Sequence, residues 1–187
     1  MPVKIVLDPG HNPQGFNAGA EGYGYQEQDI VYAVAQDLAA LLRRDDRFSV
    51  RVTRNTPTEI LGTSNASSLQ RRVQIANDWG ADYFISIHAN ASPNPQANGT
   101  QVLTYRESGP AYEMGKDILA SIVAGMNMKD LGMLARPDLY VLRRTAMPAM
   151  LIELGFITNL EDVTKMANDP RGFADAIYRG ILDYLNY

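Results

Sequence analysis

Short apolar runs separated by longer stretches of helical period recur along almost the whole chain. That alternation restricts it to an α/β fold. Val3–Leu7, Phe48–Thr53, Tyr83–Ile87, Thr100–Tyr105, Leu139–Leu142 and Ala149–Ile152 read as strands. A first helix is expected from about Glu27 to Arg43, where Ile30, Val31, Val34, Leu38, Leu41 and Leu42 repeat with the period of a half-buried helix. Ser68 is the expected N-cap of a second, Leu69–Asp78, and Ser108 with Pro110 opens a third that ends near Gly125. Phe173, Ile177, Ile181 and Tyr184 stripe the last helix, which closes at Tyr187. Asn55–Ser67 and Ser92–Asn98 are expected to be loops bordering a groove. No repeat, low-complexity segment or domain boundary interrupts the 187 residues, so one domain with a single core is expected.

Composition narrows the function. A net charge of −4 leaves no basic footprint, so nucleic acid is not an expected partner. The absence of cysteine excludes disulfides and thiolate metal sites. No apolar stretch is long enough to span a bilayer. A strand starting at Val3 leaves no room for an export signal, so release by another agent, or removal of an address, is the expectation. The eight methionines read as core filling.

Only two histidines are present, and each follows a strand: His11 after Val3–Leu7 and His88 after Tyr83–Ile87. A third apolar strand, Ala149–Ile152, ends in Glu153. Open α/β sheets place their ligand crevice at such strand ends. Either histidine alone reads as a surface or satisfied core residue; the pair points to a metal. Without cysteine, a zinc site needs imidazole and carboxylate, and two His with one acidic residue is an established set. Glu27, opening the first helix after the Gly19–Gly24 stretch, is the best third ligand, although it reads equally well as a plain helix-start carboxylate. Glu153 is costly to bury unless paired, hydrogen-bonded or protonated. It suits a proton shuttle beside a metal, or an ion pair with an arginine.

The motifs Val-Leu-Asp-Pro-Gly-His11, Gln26-Glu27-Gln28-Asp29, Arg72-Val-Gln-Ile-Ala-Asn77, Ile-Ser-Ile-His88-Ala-Asn90 and Leu-Ile-Glu153-Leu-Gly-Phe-Ile-Thr-Asn159 occur in that order. Together they resemble the zinc-dependent N-acetylmuramoyl-L-alanine amidases of bacterial cell-wall hydrolases and phage endolysins, from Val3 to the final helix. The resemblance implies a mixed six-stranded sheet flanked by helices, a catalytic domain over 1–187, and Zn2+ held by His11, Glu27 and His88. It also implies peptidoglycan as the partner, action at the bacterial cell wall, a monomer, and Glu153 as the catalytic carboxylate. Glu153 would take a proton from water and return it to the departing alanine amine. The run Asn12-Pro13-Gln14-Gly15 departs from the glycines that commonly follow the first ligand, which changes the expected groove shape. No wall-anchoring module of the kind many relatives carry is visible.

Other residues carry weaker expectations. Arg72 shares a stripe with Leu69, Val73 and Ala76 and should form a buried ion pair. Asn90 either orients a ligand or stabilises a turn, and Arg136, Tyr140 and Arg143 either meet stem-peptide carboxylates or are simply exposed. Two rival functions stand beside the amidase: cleavage within the stem peptide, and a peptidoglycan-binding module without catalysis.

Overall fold

A computed structural model describes all 187 residues. In chain order the elements are β1 (Val3–Pro9), β2 (Glu21–Gly22), β3 (Tyr25–Gln26), α1 (Glu27–Arg43), β4 (Phe48–Val52), α2 (Asn65–Trp79) and β5 (Tyr83–Asn90). There follow β6 (Thr100–Thr104), α3 (Pro110–Met126), β7 (Asp130–Ala135), α4 (Tyr140–Arg144), β8 (Ala149–Phe156), α5 (Leu160–Asn168) and α6 (Pro170–Leu185). Six strands form one sheet in the order β4-β1-β5-β8-β6-β7, and β2 and β3 form a separate hairpin. The first four are parallel, β6 runs antiparallel to β8, and β7 is parallel to β6. The sheet is therefore mixed.

Side chains alternate between its two faces. Ile5, Leu7, Ile85, Ile87, Met150 and Ile152 face a 31-residue core shared with α1, α3 and α6. Val6, Phe84 and Leu151 face a ten-residue core under α2 and α4. On this second face the apolar rows turn polar at the carboxyl ends of the strands: Val6 gives way to Asp8, Phe84 to Ser86 and His88, and Leu151 to Glu153. The smaller layer thus stops short and leaves a polar shelf.

Several local expectations need correction. Leu139–Leu142 is not a strand; Tyr140–Arg144 is a short helix whose Val141 and Leu142 pack into the smaller core. A four-residue apolar run has no period of its own to separate the two states. The sixth strand is Asp130–Ala135, a half-exposed edge with Gly132 at φ 80° and a shifted register. Helix α2 begins at Asn65 with Ser64, not Ser68, as its cap, because its first turn is polar and carries no stripe. Helix α5 and the β2–β3 hairpin have no counterpart among the expected elements. Strands β5 and β8 run on past Ile87 and Ile152, so His88 and Glu153 lie inside strands and are register partners on neighbouring parallel strands.

Candidate metal centre

His11 follows β1 in a left-handed conformation, φ 63°, unusual for a residue with a Cβ. The turn is braced from several sides. Arg72 of α2 donates to the His11 carbonyl at 2.5 Å and to the Pro9 carbonyl at 2.8 Å. Its Nη1 also pairs with Asp8 Oδ1 at 2.7 Å, both side chains being 1% exposed. Burial would raise the Asp8 pKa, but the Arg72 charge and hydrogen bonds from Thr53, Ser86 and Arg72 outweigh it and hold it low. Arg72 is thus the expected buried ion pair, and its role is to fix the His11 turn. Asn12, where glycine would be more usual, donates to the carbonyls of Phe16 and Leu61 and accepts from Leu61 N–H at 3.0 Å.

Nδ1–H of His11 donates to the Asn17 carbonyl at 3.3 Å, which orients the ring with Nε2 facing inward. Nε2 lies 3.1 Å from Glu27 Oε1, and His88 presents Nδ1 to the same oxygen at 3.1 Å. Ala20 N–H anchors the other oxygen, Oε2, at 2.9 Å. One ligand atom from each of His11, Glu27 and His88 lies within 4.8 Å of the others, a group that could hold a metal ion. Burial would raise the Glu27 pKa, but hydrogen bonds from the two imidazoles outweigh it and keep the carboxylate ionised. Burial would lower that of His88; the Glu27 hydrogen bond and charge more than offset it.

Glu153 stands beside His88 in register, on strands about 4.8 Å apart. Its Oε2 is buried with no hydrogen-bond partner, and no arginine pairs with it. Burial pushes its carboxyl up to about 7, with His88 and Arg136 pulling down and Glu27 pushing up. A register shift between His88 and Asn90 sits next to it, as bulges often do at sites.

The chain matches the model of the N-acetylmuramoyl-L-alanine amidase family over residues 5–183. It belongs to that family. Among amidase relatives, CwlM of Bacillus licheniformis is 34% identical over 180 residues, covering 95% of this chain and 65% of CwlM. A crystal structure of an N-acetylmuramoyl-L-alanine amidase from Clostridium difficile 630 superposes with TM-score 0.88 at 30% identity, covering 99% of this chain and 97% of that one. The amidase AmiC2 of Nostoc punctiforme gives 0.85 at 33% identity, over 99% and 98%. The chain spans about a third to two thirds of the curated relatives first matched: 35% of a cell wall amidase from Bacillus anthracis and 65% of CwlM.

The donor set of this chain fits a divalent cation. Two imidazole nitrogens and one carboxylate oxygen suit zinc, and the unpartnered Glu153 oxygen adds an acceptor at its side. Tyr140 lines a cleft of about 160 Å³ with His11, His88 and Arg72. Arg143 lines a different cleft, near the start of β8, and Arg136 pairs with exposed Asp138. Asn90, the last residue of β5, accepts from Ala91 N–H at 2.8 Å. No helix is long and apolar enough to cross a membrane.

Proposed function

We propose that this chain hydrolyses the amide between the lactyl group of N-acetylmuramic acid and L-alanine in peptidoglycan, at the bacterial cell wall. Zinc would be held by His11, Glu27 and His88, with Glu153 as proton carrier. One observation carries the reading: three metal-competent atoms from separate elements converge beside a buried carboxyl whose second oxygen has no partner. Family membership supports the scissile bond.

When bound, zinc supplies Lewis acidity that lowers the pKa of water and stabilises negative charge on oxygen. The chain's residues do the rest. His11, fixed by Asn17 and the Arg72 brace, and His88, set by its strand, hold the donor geometry. Glu153, a buried carboxyl whose burial raises its affinity for a proton, can accept one from attacking water and release it again. Delivered to the alanine nitrogen, that proton turns a poor leaving group into an amine.

Digestion of purified peptidoglycan followed by mass analysis tests the bond. Glycan strands freed of peptides, with new L-alanine amino termini, are expected; shortened stems would instead mean a peptidase. Glu153→Gln should keep the metal and lose about 100-fold or more in turnover, whereas His88→Ala should lose both. Near-normal turnover in Glu153→Gln refutes the proton-carrier role.

A further inference from the structure

The β2–β3 hairpin spends stability on an aromatic residue at its tip. Its two-residue loop is Tyr23-Gly24, with φ 52° and 82°. Two consecutive positive φ values mark the hairpin turn that favours Asn-Gly or Gly-Gly, because a bulky side chain strains the first position. Tyr23 occupies that position and is 53% exposed; Tyr25 beside it is 38% exposed. Neither ring is needed by the core. Leu160 is 59% exposed and follows closely after Ile157, against whose carbonyl the hairpin is seated.

The hairpin is also locked to the candidate centre. Glu27 N–H donates to the Ala20 carbonyl at 3.0 Å and Ala20 N–H returns a bond to Glu27 Oε2, so the proposed ligand closes the hairpin's base. A Cβ at Gly22 would stand 2.1 Å from the Ile157 carbonyl, so only glycine lets the hairpin seat just beyond the strand that carries Glu153. Tyr25 is two residues from Glu27, placing their Cα atoms within about 7 Å. A strained, exposed aromatic residue, with a second exposed ring two positions on, sits on a hairpin anchored at its base to Glu27 and is arranged for a flat partner.

We propose that Tyr23 and Tyr25 form a stacking platform for a sugar ring of the glycan strand. This rests on the amidase reading, which puts an N-acetylated amino sugar at the scissile bond. The apolar face of a pyranose ring suits an exposed aromatic one, and the continuity of the hairpin with Glu27 places neighbouring sugars over it.

The probe is an N-acetylglucosamine tetramer, which lacks the scissile amide, so its binding is independent of which bond the site cleaves. Tyr23→Asn keeps a residue suited to the turn while deleting the ring. It should raise the melting temperature by about 2 °C yet weaken tetramer binding about five-fold. Tyr25→Ala should weaken binding similarly, while Tyr23→Phe, which keeps the ring, should bind as the parent does. Sedimentation of each variant accompanies the titration. Unchanged tetramer affinity in Tyr23→Asn and Tyr25→Ala overturns the platform, as does a loss confined to self-association, which would make the hairpin a contact between copies. If muropeptide digestion shows a different bond cleaved while the titration succeeds, only the amidase reading fails.

Discussion

Glu153 shows how one buried oxygen couples stability to pH. Burial raises its carboxyl from the usual 4.5 to about 7. Above pH 4.5 the unfolded chain releases this proton while the native chain keeps it. The native state therefore binds more protons, and stability falls as pH rises toward 7, then levels. In metal-free protein, Glu153→Gln removes that slope. Its advantage over the parent in urea unfolding should grow by about 3 kcal/mol between pH 4 and pH 8. A constant difference would show that the carboxyl titrates normally. Gly10 acts at the same scale: a Cβ there would lie 2.4 Å from His88 Cε1 and displace the ring. Gly10→Ala should weaken zinc binding about ten-fold or more in chelator competition.

At the scale of elements, α2 matters because it carries Arg72 to the His11 turn. Its start is a capping box: Ser67 N–H donates to Ser64 Oγ at 3.1 Å, and Ser64 N–H donates to Ser67 Oγ at 2.9 Å. Ser64→Ala should cost about 1 kcal/mol in chemical unfolding. This start was legible only in part, because the apolar stripe that betrays a helix begins at Leu69, a turn later. Strands β1, β5 and β8 were legible because both their faces are largely buried and their apolar runs are nearly continuous, and the edge strand β4 because Phe48, Val50 and Val52 alternate with polar residues. The edge strand β7 was not, since none of its residues is fully buried and Asp130–Ala135 carries no alternation. The hairpin tip at Tyr23 hid for another reason: local preference points to asparagine at that position, and the sequence violates it.

At the scale of the whole molecule, α3 and α6 pack so closely that a Cβ on Gly180 would stand 2.4 Å from Ile118 Cα. Helix propensity alone predicts that Gly180→Ala gains about 1 kcal/mol. Packing predicts the opposite, since the obstacle is backbone and cannot swing aside. A net loss of about 2 kcal/mol in the urea midpoint is expected.

Local pattern determined the α/β class, most of the sheet's strands, and the placing of His11, His88 and Glu153 near strand ends, because periodicity records burial and burial is fixed residue by residue. The ordered motifs added the family. Only the tertiary structure decided that Glu27 meets His88 across 61 positions of sequence, which ring nitrogens face it, and that Arg72 braces the His11 turn rather than the substrate. Those facts depend on strand order and on how closely layers approach, and no local period encodes either.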